Sequence, residues 1–430
     1  MNCPVPFAVQ GLSVAICAFL SSKPKEGCAS QARNGWNAAS LLGFALCALV
    51  VLGGCAVAPP AWREHGAAIE RTLDQAIAEK KFPGASFWLE RAGNRQAWHR
   101  GARTYEAGAA VTDAQTIFDV ASLTKVVVTA TAVQMLIDEG RLGMDQRLID
   151  HLPGCAGAGR DAITLTHLLT HTSGLPAGVP KRPAWSGRAA GLERACAQVP
   201  THAPGTAFRY SDVNFILLGA IVERASGETL DAFAARRIFQ PLRMTRTGYR
   251  PLERFPAGEI APTLRVLDAG VDSPHADLGP GAELTGVVHD PTARFMGGVA
   301  GHAGLFSTAE DLARFARMLI DGGVTGGKRL LSKDAVARLT ASQSPAGIKE
   351  RRTAGWDLDS PYARPRGALF SPGSFGHTGF TGCVLWIDPA AHSFYVLLSN
   401  RVYPDEKSVI VPLYAEFGTL AARAAGVAAR

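Results

Sequence analysis

One stretch, Phe118–Asp138, constrains the fold more than any other part of the chain, because it is apolar on nearly every side. Between Ser122 and Ile137 it contains a single charged residue, Lys125, among apolar residues, threonines and one glutamine. A helix that is apolar nearly all round is a buried helix, and burying a lone ammonium is costly. The sequence therefore predicts a helix at the centre of the core whose one charge serves a chemical purpose.

Ser122 and Lys125 lie three residues apart, so on a helix they share one face, one turn apart. Ser122 would sit in the first turn, where backbone N–H groups have no partner within the helix. Because burial lowers the pKa of a lysine, Lys125 is a candidate base for activating the serine near neutral pH. The S-x-x-K pattern alone is not specific, since Ser22 and Lys25 repeat it in a polar stretch. A lysine that reaches the surface is the alternative interpretation of Lys125.

Composition and charge exclude several classes of protein. The chain has 430 residues, 47% of them hydrophobic and 19% charged, which allows a substantial core and rules out global disorder. That length suits one large domain or two to three smaller ones. The formal net charge of +7 is spread along the chain without a basic run, so no nucleic-acid partner is expected.

The N-terminal region has the pattern of a targeting segment. Arg33 precedes an apolar run, Leu41–Leu52, which is too short for a comfortable transmembrane helix and leads into the letters LGGC, ending at Cys55. LGGC resembles a bacterial lipobox, which would make Cys55 the lipidated first residue of the mature chain. We therefore expect a protein of the cell envelope, periplasmic and attached to the membrane by an N-terminal lipid anchor. Residues 1–32 do not fit a normal signal, and an overlong start or a first apolar segment at Val5–Leu20 would explain them.

The cysteines outside that region are few and scattered. Cys155, Cys196 and Cys383 are odd in number and form no C-x-x-C pair, so they indicate neither a zinc site nor a full disulfide framework. We expect buried free thiols, with a single Cys155–Cys196 bridge as the alternative.

Strand patterns occur at both ends of the chain and helical patterns in the middle. Ala85–Glu90 and Gln96–Gly101 alternate near the start, and Thr381–Ile387 and Ser393–Ser399 flank a clear turn near the end. This order indicates a sheet domain interrupted by a helical one. We expect a signal region over 1–55 and a domain over 61–430, with a sheet part at about 61–115 and 285–430 and a helical part at about 116–284.

Two further stretches carry side chains suited to chemistry. The stretch Phe208–Asn214 precedes an apolar helix, and a tyrosine such as Tyr210 can relay a proton when an ammonium lies nearby. Its alternative interpretation is an ordinary helix start capped by Ser211 or Asp212. Gly376–Gly382 opens the C-terminal hairpin, and its glycines either let a substrate backbone approach closely or form a simple bulge.

Taken in order, three motifs resemble the serine β-lactamase and penicillin-binding family, especially its class C-like branch with esterase-like and DD-carboxypeptidase-like members. They are Ser122-Leu123-Thr124-Lys125, Tyr210-Ser211-Asp212 and His377-Thr378-Gly379. The stretches His167–Leu175 and Gly297–Phe306 are also similar to segments of this branch, and the resemblance covers about residues 65–425. It implies an α/β (α+β) fold, in which an antiparallel sheet is flanked by the terminal helices, an all-helical domain is inserted, and the site lies in the cleft between.

The resemblance also implies roles for individual residues. Ser122 would be the acylated nucleophile, Lys125 would take its proton, and Tyr210 would relay protons. Which of the two is the general base stays open. Backbone N–H groups of Ser122 and Phe380 would form the oxyanion hole. No cofactor or metal is implied, although His289 and His302 form a minor alternative as a metal pair.

Two positions depart from the family pattern, and both affect how substrate would be bound. The second motif commonly ends in Asn, whereas Asp212 can only accept hydrogen bonds when ionised, which disfavours an anionic substrate unless Asp212 is protonated or paired with Lys125. The third motif often begins with Lys, whereas His377, followed by Thr378 and Gly379, offers a mostly neutral imidazole. Both changes argue against an efficient β-lactamase.

We therefore expect a serine acyl hydrolase that is D-Ala-D-Ala carboxypeptidase-like or esterase-like and acts on a small acyl substrate or a peptidoglycan peptide. One alternative is a β-lactamase proper. The other is a catalytically silent sensor that keeps the fold to bind peptidoglycan or penicillin. The intact Ser122, Lys125 and Tyr210 count against such a sensor. The oligomeric state stays open.

The lipobox pattern yields a direct test. Cys55→Ser should stop incorporation of labelled fatty acid, because only a thiol at this position can carry the lipid. Cys47→Ser, in the same apolar run, is the matched control and should leave incorporation unchanged. Incorporation that persists in the Cys55→Ser chain would show that the lipobox interpretation is wrong.

Overall fold

The structure is a computed structural model that describes residues 60–266, 275, 277–362 and 364–427. The predicted signal region 1–55, including Cys55, lies outside the described residues. Within the described ranges, no helix combines the length and the apolar character needed to cross a membrane.

A five-stranded antiparallel sheet organises the fold. The strands in the described part of the chain are β1 (Gly84–Arg91), β2 (Asn94–Gly101), β3 (Phe118–Asp119), β4 (Gly248–Tyr249), β5 (Leu305–Ser307), β6 (Val324–Thr325), β7 (Lys328–Arg329), β8 (Phe375–Gly379), β9 (Cys383–Asp388) and β10 (Ser393–Ser399). The main sheet has the order β2-β1-β10-β9-β8, so the two ends of the chain meet where β1 pairs with β10. The expected antiparallel sheet of an α/β (α+β) protein is confirmed.

The terminal helices cover one face of this sheet. The helices of the described residues are α1 (Pro60–Ala78), α2 (Thr131–Asp138), α3 (Leu148–His151), α4 (Leu165–Leu169), α5 (Arg188–Cys196), α6 (Asp212–Ser226), α7 (Leu230–Ala234), α8 (Gln240–Leu242), α9 (Pro291–Phe295), α10 (Ala309–Ile320), α11 (Lys333–Thr340) and α12 (Val411–Ala424). Ile69 and Leu73 of α1 and Phe417 of α12 share a buried cluster with Phe87 and Tyr395 of the sheet. The apolar stripe of each terminal helix is therefore buried against the strands.

The other face of the sheet adjoins the larger core. Along β10, Tyr395 and Leu397 belong to the cluster with the terminal helices, whereas Val396 and Leu398 belong to the second cluster, together with Phe315 of α10. Successive strand residues point to opposite faces, so both faces of β10 are buried. This explains why the strand is almost wholly apolar in sequence.

The predicted buried helix is confirmed at the centre of the second cluster. Lys125–Ala130 form a π-helical turn that runs into α2, and all of its residues are buried. Thr131 Oγ1 donates to the carbonyl of Val126 at 2.9 Å, a local bond that accompanies the widened turn. Lys125 has 0% of its surface exposed, so the interpretation as a surface lysine is wrong. Short π-helical turns are rare and frequently mark functional sites.

The expectation for the cysteines is partly wrong. Cys155 and Cys196 form a disulfide, with Cα atoms 4.5 Å apart, because the end of α5 packs beside the turn that contains Cys155. Cys383 is a buried free thiol, as expected.

Candidate active site

The predicted nucleophile lies at a turn that buried side chains hold in place. Ala121, which precedes Ser122, has a φ of 45°, in the left-handed region that non-glycine residues rarely adopt. Asp119 Oδ1 accepts the N–H of Ala121 at 2.8 Å, and the Thr124 hydroxyl donates to the Ala121 carbonyl at 2.6 Å. Because both backbone groups of Ala121 are bonded, the turn is fixed and presents Ser122 at the start of the central helix.

Asp119 ties this turn to two other segments. Its second carboxylate oxygen accepts the backbone N–H of His289 at 2.8 Å, and its carbonyl accepts the Thr381 hydroxyl at 2.6 Å. Burial raises the pKa of its carboxyl, although the hydrogen bonds from His289 and Ala121 act in the opposite direction. Sequence reasoning missed this residue, since an isolated aspartate beside an apolar run forms no recognisable pattern.

Lys125 is held by three acceptors. Its Nζ donates to Ser122 Oγ at 2.8 Å and to the carbonyl of His302 at 3.0 Å, and it pairs with Asp212 Oδ1 at 2.8 Å. An ammonium has three N–H donors and no acceptor, so every close partner of Lys125 must accept a hydrogen bond from it. Asp212 is therefore paired with Lys125. This pairing is one of the two conditions under which an aspartate in place of the family's asparagine need not disfavour an anionic substrate.

The protonation state of Lys125 differs from the expectation. Burial alone would lower its pKa, but the charges and hydrogen bonds of Asp212 and Tyr210 outweigh burial and raise the pKa above its ordinary value. The expected lowered pKa is therefore wrong. Lys125 is an ammonium at neutral pH, and an ammonium has no lone pair with which to take the proton of Ser122.

Tyr210 lies among aromatic rings and cations. Its ring stacks on His171 with centroids 4.4 Å apart, and Lys125 Nζ lies 5.1 Å from the ring centroid. The guanidinium of Arg352 lies 5.6 Å from the same centroid. Two cations against one phenol ring create a positive environment around the tyrosine that was predicted to relay protons.

Arg352 was not singled out by sequence reasoning, yet it is the most unusual charge beside the site. It is fully buried, and within the described residues none of its three guanidinium nitrogens has a hydrogen-bond partner. The guanidinium lies 5.2 Å from the ring centroid of Phe208 and 5.1 Å from that of Tyr362, and Asp357 is 3.9 Å away. Burial raises the pKa of Asp357 to about 6, although the charge of Arg352 acts in the opposite direction. A lone arginine in a polar segment gives no signal in the sequence.

His377 is buried, with 4% of its surface exposed, and is neutral. Burial lowers its pKa well below the ordinary value, and the charges of Arg352 and Lys125 lower it further. Its Nδ1 lies 2.8 Å from the carbonyl of Thr378 and therefore carries the ring proton, which leaves Nε2 as an acceptor. The imidazole accordingly provides no cation for a substrate carboxylate.

The third motif places its residues in different surroundings. A Cβ atom on Gly379 would lie 2.4 Å from the carbonyl of Val120, so glycine is needed for β8 to pack against the turn before Ser122. Phe380 is 51% exposed and lines the same cavity as Ser122. In the described part of the chain, the backbone N–H groups of Ser122 and Phe380 donate no hydrogen bond to a loop carbonyl or side chain. Both N–H groups are therefore available to an oxyanion.

The predicted residues converge only in part on one cavity. It has a volume of about 300 Å³ and is lined by Ala121, Ser122, Lys181, Tyr210, Asp212, His275, His289, Asp290, Pro291, His302, Ala303, Phe380 and Glu406. The lining includes residues of the first two motifs and Phe380, which follows the third motif, but His377, Thr378 and Gly379 themselves are not in it. The segments around His289 and His302 supply much of the wall, which the motifs alone did not indicate.

The two histidines considered as a metal pair fall into different groups. His302 Nε2 lies 2.8 Å from Asp290 Oδ1. Burial alone would raise the pKa of Asp290, but His302 holds it below the ordinary range. His289 instead lies beside His275 and Glu406. The minor alternative, in which His289 and His302 form a metal pair, is therefore not the arrangement in the structure.

Comparison with known proteins decides the family. The sequence matches the Beta-lactamase family model over residues 69–417. The chain belongs to the beta-lactamase family. This confirms the resemblance carried by the three motifs, and the protein is a serine hydrolase of this family.

Relatives within the beta-lactamase family differ in their named activities. The chain is 35% identical over 309 residues to the "Putative D-alanyl-D-alanine carboxypeptidase" of Escherichia coli (strain K12), covering 66% of this chain and 69% of that one. It is 30% identical over 362 residues to an N-acetylmuramyl-L-alanine amidase of Bacillus subtilis (strain 168), covering 77% and 80%. A penicillin-binding protein homolog from Caulobacter crescentus shares the fold, with a TM-score of 0.66, 22% identity, and coverage of 84% of this chain and 98% of that chain.

The charge state of Lys125 can be tested with one variant. Asp212→Asn should drop the pKa of Lys125 below its ordinary value of about 10.4, because burial then dominates. The measurement is a pH titration of the Lys125 Nζ by nuclear magnetic resonance of 15N-lysine-labelled protein. Asp231→Asn, which breaks the ion pair with Arg250, is the matched control and should leave the titration unchanged. A Lys125 that titrates identically in both variants would contradict the assignment.

Proposed function

We propose that the protein is a cell-wall acyl hydrolase that forms an acyl-enzyme on Ser122 and acts on peptidoglycan peptides or esters in preference to β-lactams. The observation that carries the proposal is the position of Lys125 Nζ, which lies 2.8 Å from Ser122 Oγ and 2.8 Å from Asp212 Oδ1. We call these three side chains the proton relay. Relatives named as a D-alanyl-D-alanine carboxypeptidase and as an N-acetylmuramyl-L-alanine amidase support a cell-wall substrate.

The relay accounts for the first proton transfer. As Ser122 Oγ attacks the carbonyl carbon, Lys125 Nζ transfers a proton to Asp212 Oδ1, and the lone pair that this frees takes the proton of Ser122. Lys125 is thus an ammonium before and after the step, and the proton ends on the carboxylate. A family-typical asparagine could not take it. The N–H groups of Ser122 and Phe380 stabilise the oxyanion that forms on the substrate.

Tyr210 completes the second proton transfer. Lys125 has no exposed surface and does not line the cavity, whereas the Tyr210 ring does. The proton on Asp212 therefore returns through Lys125 and the Tyr210 hydroxyl to the leaving amine or alcohol, and the bond to the leaving group breaks. An ester remains on Ser122. A water molecule then repeats the sequence and releases the acid.

Charge around the cavity favours neutral esters over acyl donors with a carboxylate near the scissile bond, a group that β-lactams share with D-Ala-D-Ala peptides. Asp212, Asp290 and Glu406 all line the cavity, and among the described lining residues Lys181 is the one lysine or arginine. His377 is neutral and buried. A β-lactam carboxylate would find no ammonium at the position where the family commonly provides one, so neutral esters and amides rank ahead of β-lactams.

The location of the enzyme is part of the proposal. The LGGC pattern ending at Cys55 supports a lipid anchor on the periplasmic side of the cell envelope, where peptidoglycan is found. The described domain begins shortly after Cys55, so the tether between anchor and domain would be short.

The function is tested first by covalent labelling. Ser122→Ala should abolish both the mass increase on incubation with a fluorophosphonate or a penicillin and the turnover of a nitrophenyl ester, because no other nucleophile lies in the relay. Ser226→Ala, at the end of α6, is the matched control and should label normally. Labelling that maps to a serine other than Ser122 would contradict the proposal, and labelling without any turnover would favour the silent sensor.

Selectivity is tested by comparing two substrates. An ammonium-to-carboxylate hydrogen bond is worth roughly 1.5–3 kcal/mol, so we expect the wild-type kcat/KM for a nitrophenyl ester to exceed that for a chromogenic cephalosporin by about one to two factors of ten. His377→Lys should narrow this gap by supplying a cation, provided that circular dichroism shows an intact fold. His392→Lys, in the exposed β9–β10 turn, is the control for added charge. A wild-type enzyme that prefers the cephalosporin would refute the electrostatic argument.

A further inference from the structure

A second group of titratable side chains lies in the active-site cavity, separate from the proton relay. His275, His289 and Glu406 come from three different segments, and one potential ligand atom of each lies within 4.8 Å of the other two. His275 Nε2 is 2.9 Å and His289 Nε2 is 3.1 Å from the same oxygen, Glu406 Oε1. All three residues line the cavity together with Ser122.

Hydrogen bonding inside the protein does not fully account for this group. His275 and His289 are 5% and 3% exposed, and their ring centroids are 5.1 Å apart. Within the described residues, His289 Nε2 is a buried ring nitrogen with no well-aligned hydrogen bond, although it points into the group. His289 Nε2 is a buried nitrogen that faces a carboxylate oxygen at 3.1 Å without a well-aligned hydrogen bond, and a cation bound between the two atoms would satisfy both.

We propose that His275, His289 and Glu406 bind a divalent transition-metal ion, with Zn²⁺ as the best match. Two imidazole nitrogens and one carboxylate oxygen form a ligand set that Zn²⁺ takes in proteins, with bonds of about 2.0–2.2 Å. Such a site keeps a fourth position for water or for a substrate oxygen. That position would face the cavity, because all three ligands line it.

A carboxylate behind His275, that of Asp277, would serve as the outer-shell acceptor once a metal is bound. Arg294 Nη2 lies 3.3 Å from His275 Nδ1. Arg294 also donates two hydrogen bonds to the Asp277 carboxylate, from Nε at 2.6 Å and from Nη2 at 2.8 Å. A metal on Nε2 would place the ring proton on Nδ1, where it needs an acceptor. Asp277 interacts electrostatically with His275 and is a carboxylate able to take that hydrogen bond after a small shift of Arg294. Carboxylates commonly hold metal-bound histidines in this way.

The charge of the cavity also favours a cation. Glu406, Asp290 and Asp212 contribute three carboxylates to the lining, and Lys181 is the one lysine or arginine among the described lining residues. A concave site lined mainly by one sign of charge concentrates the opposite ion. The cation would be held by residues outside the relay, so its binding does not depend on the proposed function.

Metal binding is measured directly on tag-free, chelator-treated protein. The probes are Zn²⁺ by isothermal titration calorimetry and Co²⁺ by its visible absorption, which reports a tetrahedral site. We expect one equivalent per chain in the wild type and a rise in melting temperature with Zn²⁺ concentration. His289→Gln and Glu406→Gln should each weaken the affinity by at least about tenfold.

Two controls separate this site from the rest of the protein. His151→Gln removes a histidine that bonds to Gln146 away from the cavity and should keep full binding. Ser122→Ala should also bind one equivalent, which distinguishes failure of the metal site from failure of the catalytic assignment. Absence of binding in the wild type, or equal binding by the wild type and the folded His289→Gln and Glu406→Gln variants, would overturn the proposal.

Discussion

The site depends on one buried ammonium. Lys125 is fully buried on the central helix, and its charge is tolerated because Ser122, Asp212 and the His302 carbonyl surround it at 2.8–3.0 Å. Each acceptor comes from a different segment, so the cost of burying the charge is met only when all three segments are in place. The same contacts keep Lys125 protonated, which turns a candidate base into a relay.

The positive charges beside this relay are arranged so that nearby imidazoles stay neutral. Burial lowers the pKa of both His171 and His377, and the charges of Arg352 and Lys125 lower it further. His171 can then stack on Tyr210 without repelling the cations. Because His377 is neutral, the positive charges near Tyr210 are those of the buried Lys125 and Arg352, which do not line the cavity. This separation, more than the identity of any one residue, argues for neutral acyl donors.

Much of the catalytic centre could be predicted from sequence because its signals are local. The apolar run around Ser122 and Lys125 predicted both the helix and its burial, and the strand patterns predicted the sheet at the two ends of the chain. Residues such as Asp119 and Arg352 could not be found in this way, since a single charged residue becomes meaningful only when distant segments pack against it. The pKa of Lys125 was predicted in the wrong direction for a related reason: burial was visible in the sequence, whereas pairing with Asp212 was only one of two possibilities that the sequence left open.

The sequence by itself determined the buried helix that holds Ser122, because this follows from spacing and periodicity along the chain. It also contained the three ordered motifs, whose resemblance indicated the family. The tertiary structure decided which charges meet. It paired Asp212 with Lys125, placed His377 behind Tyr210, joined Cys155 to Cys196, and brought His275, His289 and Glu406 to one wall of the cavity. Electrostatic interactions depend on distance and burial in space and not on separation along the chain, so these features appear only once the chain is folded.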